Sequence, residues 1–298
     1  MTKEHPMSQE NQQEIEAVIQ ALTSGLKGTY KLHEGLGESG TTNFQENQFG
    51  ETTLTMDLQS EEEIINGLKK TNLPMSVFAE EHGSFFVNGA NPQYVVALDG
   101  LDGSSEYKER RGKSMYGTLA CVLKGNNPTY DDYIVAGVMI HSPKPNLLLA
   151  IKGQGVFSIV LSSGEKKQIG IDTTRHFSRQ TIIDLDINWQ LYRQLFDENS
   201  SLFPNMQCPF FSEAARLALF AKGKIDLGLE WTRKQNLEQP TMYAFVKELG
   251  GVMTSADGTP ISNKPYKTYG QGIHVPLIVA PNQEMAIEVS KRFNLRKF

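Results

Sequence analysis

Apolar residues recur at Ile15, Val18, Ile19 and Leu22, the spacing of one helix face, and predict a helix over about Gln12–Leu26. The Gly- and Thr-rich stretch Gly35–Thr53 breaks the pattern and reads as a mobile loop. Periodicity returns at Ile64, Ile65 and Leu68. Ser60 and Glu63 form a capping-box pair ahead of them, so a helix is predicted from Ser60 to about Lys70. Short apolar, β-branched runs then predict strands near Ser76–Ala79, Tyr94–Leu98, Tyr116–Leu123, Ile134–His141, Leu147–Lys152 and Gly155–Val160. Ser162 to Lys167 reads as a polar turn. A boundary near Thr173 divides the chain into an N-terminal α+β half, residues 1–173, and a C-terminal α/β half, residues 174–298. In the second half, strands are predicted near Thr181–Leu185, Ile225–Glu230, Gly251–Thr254 and Leu277–Ala280. Helices are predicted near Asn188–Asp197, Ser212–Ala221, Thr241–Leu249 and Asn282–Phe293.

Composition narrows the class. At 298 residues the chain can bury a full core as one two-part domain or as two domains. With 29 basic and 34 acidic residues the net charge is −5, which favours neither nucleic acid nor an anionic membrane as partner. No apolar stretch approaches the roughly 20 residues that span a bilayer. The polar segment Met1–Gln13 lacks a secretory core, so the expected location is the cytoplasm. Cys121, inside an apolar run, reads as a buried thiol of a reducing compartment. Cys208 and six scattered histidines add no zinc-type spacing.

The chemistry-bearing residues sit where the predicted elements end. The run Asp99-Gly100-Leu101-Asp102-Gly103-Ser104-Ser105 follows a buried strand and places two carboxylates three residues apart, ahead of a Gly-Ser-Ser turn. Carboxylates suit a hard cation such as Mg²⁺, which is commonly held by a few acids together with substrate phosphate. The amides of Gly103, Ser104 and Ser105 suit an anion. Taken alone the run is equally well an ordinary Asx-type turn. Glu80 and Glu81 end another strand, and two acidic strand ends within twenty residues bring like charges together, which calls for a cation or a shared proton. Asp57 precedes a predicted helix in a loop. Glu238 stands at the start of the helix opened by Pro240, where an acid is either a helix cap or a metal ligand. Arg233 and Lys234 lie just before Glu238 and are candidates for contact with a sugar hydroxyl or a second phosphate. The basic cluster Lys108, Arg110, Arg111 and Lys113 either steers a polyanion or is a solvated face.

In order and spacing, Asp57, Ala79-Glu80-Glu81, Asp99 to Ser105, and Glu238 twelve residues before Gly250-Gly251 resemble the inositol monophosphatase and fructose-1,6-bisphosphatase superfamily. The resemblance spans roughly Glu51 to Ser262. Gly100 stands where the family usually has proline, Glu106 where it often has asparagine, and Leu237-Glu238 where the inositol branch has Trp-Asp. The resemblance implies a layered α-β-α-β-α sandwich with the metal site between its halves. It implies Mg²⁺-dependent, lithium-sensitive hydrolysis of a small polyol or sugar phosphate, with two or three ions (Mn²⁺ as the substitute) and a homodimer. Carried onto this chain, Asp99 bridges two metals, Glu81 and the Leu101 carbonyl complete one site, and Asp102 and Glu238 complete the other. Asp57 and Glu80 orient the attacking water or hold a third ion, Ser104 assists that water, and the Gly103–Ser105 amides cradle the phosphate. Glu80 and Glu81 are interchangeable in this scheme, because neighbours on an extended segment face opposite ways. Two rivals stand beside it: a 3′(2′),5′-bisphosphate nucleotidase, and a non-catalytic phosphometabolite-binding protein on the same fold.

Overall fold

A computed structural model of the chain describes residues 9–186, 190–207, 212–231, 237–268 and 275–295. In chain order, α1 (Gln9–Leu36) is followed by strands β1 (Asn43–Glu46) and β2 (Thr52–Leu54), then α2 (Thr55–Lys69). Next come β3 (Met75–Ala79), β4 (Gly83–Val87), β5 (Tyr94–Asp102), the short α3 (Ser104–Arg110), β6 (Tyr116–Lys124), β7 (Tyr133–Ser142), β8 (Asn146–Ile151), β9 (Gly155–Ile159) and β10 (Lys166–Ile169). The second half carries β11 (Ile183–Leu185), α4 (Gln190–Asn199), β12 (Met206–Gln207), α5 (Glu213–Ala221) and β13 (Leu227–Trp231). It continues with α6 (Gln239–Glu248), β14 (Val252–Ser255), β15 (Pro276–Ala280) and α7 (Gln283–Arg292).

Among the described residues, β3 to β10 form one eight-stranded sheet in the order β10-β9-β8-β7-β6-β5-β3-β4. A second, five-stranded sheet runs β12-β11-β13-β15-β14. Alternation along the strands builds the layers. In β5 and β6, Val95, Leu119, Cys121 and Leu123 face α5 and α6, where they meet Leu217, Met242 and Phe245. Val96, Leu98, Ala120 and Val122 face α1 and α2, where they meet Val18, Leu22, Ile64 and Leu68. Both faces are therefore apolar, which is why these strands read as unbroken apolar runs. Helices α5 and α6 also cover one face of the second sheet through Leu277 and Val279. Its other face packs on α4 and α7 through Tyr192, Leu195, Met285 and Val289. The result is the expected α-β-α-β-α sandwich, with α5 and α6 as a middle layer shared by both sheets.

Several element boundaries differ from the sequence expectation. Helix α1 continues ten residues beyond Leu26. Its glycines look like helix breakers, but they are where α2 comes close: a Cβ on Gly25 would lie 3.0 Å from the Ile64 Cα, and one on Gly28 would lie 2.2 Å from the Glu63 carboxylate. Helix α2 begins at Thr55, so the Ser60–Glu63 capping box does not form. Asp57 is instead the third helical residue and accepts the Leu54 amide at 2.7 Å. The Gly35–Thr53 stretch folds into a 3₁₀ turn and the β1–β2 hairpin. The polar segment near Lys166 ends in the edge strand β10.

Candidate active site

Strand β5 does not stop at Leu98; it runs through Asp102 with a bulge. Asp99 pairs with Leu119 and Asp102 with Gly117, so Gly100 and Leu101 together oppose Thr118 alone. In a regular strand, residues three apart point to opposite faces. The extra residue cancels that inversion and turns both carboxylates to the side of Leu119, toward α5. Thr118 closes the bulge by donating from Oγ1 to the Gly100 carbonyl at 2.7 Å. Its single proton thus used, Oγ1 accepts from His141 Nε2 at 2.9 Å.

The bulge requires glycine. A Cβ on Gly100 would lie 2.2 Å from the Asp57 carbonyl oxygen and 2.8 Å from the Glu61 Cγ. This close approach of α2 leaves no room for a side chain at Gly100. Gly103 has a positive φ of 93°, and a Cβ there would meet Ser212 and Tyr116 at under 3.0 Å.

On this frame the acids converge. Asp99, Asp102 and Glu238 are all buried and each offers an oxygen within 4.8 Å of the others. Asp102 Oδ2 accepts the Ala214 amide from the start of α5 at 2.6 Å, and Asp99 Oδ1 accepts the Leu101 amide at 3.0 Å. Glu238 occupies the N-cap of α6 but makes no capping hydrogen bond with its side chain, so its carboxylate belongs to the cluster.

Asp57 lies on α2 where that helix meets the bulge. Its Oδ1 accepts from Ser104 Oγ at 2.9 Å, and the same hydroxyl lies 2.9 Å from the Leu101 carbonyl. Burial, with the charges of Glu81 and Glu80 added, holds the Asp57 carboxyl well above its ordinary value. Burial likewise raises Glu81 to about 7. Asn47 Nδ2 reaches Glu80 Oε1 at 3.4 Å and Glu81 Oε1 at 3.5 Å, and Thr53 donates to Glu81 Oε2. Ser105 is exposed and Gly103 half-buried at the head of α3. Arg233 and Lys234 lie outside the described residues.

The side chains that hold these acids in place carry little signal in the sequence. Glu61, fully buried one turn after Asp57, accepts the Glu81 and His82 amides at 3.0 Å each and His82 Nδ1 at 2.7 Å. Its only sequence signal is the i, i+4 spacing from Asp57. Asn47 and Thr53 come from the hairpin that reads as a loop. On the far side of Asp102, Arg216 of α5 is buried among Asp184, Glu213 and Glu230. The buried cluster of Asp99, Asp102 and Glu238 is a set of hard oxygen donors of a kind that suits Mg²⁺ or Mn²⁺.

The model of the inositol monophosphatase family matches residues 6–291. The chain belongs to this family. A fructose-1,6-bisphosphatase/inositol-1-monophosphatase of Methanothermobacter thermautotrophicus is 28% identical over 221 residues, covering 71% of this chain and 74% of that protein. Among solved structures, a Leishmania major fructose-1,6-bisphosphatase superposes with a TM-score of 0.72 at 17% identity, over 98% of this chain and 96% of that one. An inositol monophosphatase from Anabaena superposes with a TM-score of 0.66 at 16% identity, over 96% of this chain and 97% of that one. At these identities the superpositions establish the family fold. The family model and the buried acid triad together make the chain a metal-dependent phosphoric monoester hydrolase.

Proposed function

We infer that the protein hydrolyses the phosphate monoester of a small sugar or polyol, with Mg²⁺ as its resident ion. The observation that carries this reading is the convergence of Asp99, Asp102 and Glu238, with the Asp57-bound Ser104 hydroxyl at the Leu101 carbonyl of the same bulge. The M. thermautotrophicus relative, a fructose-1,6-bisphosphatase/inositol-1-monophosphatase, supports the same substrate class.

Asp99, Asp102 and Glu238, with Glu81 and the Leu101 carbonyl, would hold the ions; bound there, a divalent cation neutralises phosphate charge and lowers the pKa of water. The chain's own groups do the rest. Asp57 fixes Ser104 Oγ by accepting its proton, which leaves the hydroxyl lone pairs to orient a water. The half-buried Glu81 is the ligand of the Glu80–Glu81 pair, and Glu80 braces it through the Asn47 amide they share. The Gly103, Ser104 and Ser105 amides at the bulge exit would donate to the phosphate oxygens. In-line transfer needs mostly such positioning and little covalent work. Arg233 and Lys234 are assigned to the substrate's far end, the cytoplasm is the proposed location, and a homodimer is the proposed assembly.

The test is phosphate release from inositol 1-phosphate, fructose 1,6-bisphosphate and adenosine 3′,5′-bisphosphate, with Mg²⁺ and with Mg²⁺ plus Li⁺. Turnover of either sugar or polyol ester that vanishes without Mg²⁺ and falls with Li⁺ is the expected result. Turnover of the nucleotide alone would move the protein to the nucleotidase class. Silence across the panel with metal still bound would favour a binding protein on this fold. Size-exclusion chromatography tests the dimer.

A further inference from the structure

Arg216 is the fixed cation of the middle layer. It is buried at the end of the first turn of α5, and its guanidinium reaches three acids on three elements. Nε donates to Asp184 of β11, and Nη1 donates to Glu213 of α5 at 2.7 Å and to Glu230 of β13 at 3.0 Å. The planar fork of arginine makes such contacts directional, unlike the point charge of lysine. The fork therefore fastens the first turns of α5 to two strands of the second sheet.

The same turn of α5 is fastened on its other side to the metal cleft. The Ala214 amide donates to Asp102 Oδ2 at 2.6 Å. Ser212, which caps α5 by accepting the Ala215 amide at 3.0 Å, packs where a Cβ on Gly103 would lie 2.8 Å from its own Cβ. Asp102 comes from the first sheet. Glu238 comes from the segment that follows β13 and opens α6. The first turn of α5 thus ties β11 and β13, the strand that precedes Glu238 in the chain, to the carboxylate of Asp102.

We propose that Arg216 is a positioning residue that sets Asp102 against Glu238, so that the spacing of the metal triad depends on its contacts with Asp184 and Glu230. The proposal rests on the reading of Asp99, Asp102 and Glu238 as metal ligands. It assigns metal affinity, not substrate contact, to a residue that touches neither.

The readout is Mg²⁺ binding by titration calorimetry on the full chain, with thermal unfolding of every variant measured in parallel. Arg216→Lys keeps the charge and loses the fork. Glu230→Gln turns one charged arm into a neutral amide and leaves the guanidinium balanced by Asp184 and Glu213. Each is expected to weaken Mg²⁺ binding about ten- to hundredfold, the range seen when groups behind a ligand are changed. The combined variant Asp184→Asn, Glu213→Gln, Arg216→Met, Glu230→Gln removes the buried charges together, a change that proteins often tolerate. It is expected to unfold near the wild-type temperature while its Mg²⁺ affinity stays low. A folded Arg216→Lys or Glu230→Gln protein with wild-type Mg²⁺ affinity overturns the proposal. So does a combined variant that regains wild-type affinity, since Arg216 would then only balance buried charge. A wild-type protein that binds no Mg²⁺ would instead overturn the reading of the triad, and the two failures are distinguishable.

Discussion

Asp57 and Glu81 illustrate how burial sets the chemistry of single residues here. Both carboxyls are pushed up by burial in a cleft where acids face one another. Asp57→Asn keeps an oxygen for the Leu54 amide and loses the acceptor for Ser104 Oγ. Its kcat is expected to fall about 10²–10⁴-fold with thermal unfolding near wild type; full activity in steady-state assays would refute the role. Glu81, raised to about 7 without metal, holds a proton that a cation must displace. Mg²⁺ affinity should therefore fall as pH drops from 8 to 6, by up to about tenfold per unit below 7 for one competing proton. Calorimetry in buffers of different ionisation enthalpy would reveal the released proton, and an affinity independent of pH would contradict the assignment. For the metal-free protein the sign is opposite. A carboxyl raised in the folded state stabilises it fully below the unfolded value, and that contribution is lost as pH rises through about 7.

At the scale of elements, the bulge in β5 does what an uninterrupted strand could not: it puts Asp99 and Asp102 on one face. Gly100→Ala should force α2 away from the bulge and destabilise the fold by about 1–3 kcal/mol, the usual range for overpacking. Thr118→Val leaves the Gly100 carbonyl without its donor and should cost about 1–3 kcal/mol. Urea unfolding measures both, and unchanged midpoints would remove the bulge from the account. Spacing along the sequence revealed the acids and most strands and helices, because apolar periodicity and acid placement are local properties. It could not reveal the bulge, since register is fixed by the neighbouring strand. Nor could it show that Gly25 and Gly28 continue α1, because the glycines answer to α2 rather than to their own helix. The β1–β2 hairpin was hidden for a related reason. Its first strand is exposed throughout, and the buried Asn47 and Thr53 earn their places through Glu80 and Glu81, some thirty residues away.

Across the whole molecule, α5 and α6 give both sheets one core. Phe245 of α6 belongs to the cluster that joins Leu119 of the first sheet to Val279 of the second. Unfolding should therefore be a single cooperative transition. Both tryptophans, Trp189 and Trp231, lie in the second half of the chain, so their fluorescence reports that half while far-ultraviolet dichroism reports the whole. The two transitions are expected to coincide, and Phe245→Ala should shift them together by about 3–5 kcal/mol; separate transitions would show two independent cores. The same middle layer places the cleft where the sheets meet and brings Glu238, more than a hundred residues from Asp102 in sequence, into the triad.

The most direct test of the account is Mg²⁺-dependent phosphate release by Asp99→Asn and Asp102→Asn proteins, measured alongside calorimetric Mg²⁺ binding and thermal unfolding. The account predicts folded proteins in which both Mg²⁺ binding and turnover are lost. Folded variants that keep full Mg²⁺-dependent turnover would contradict it.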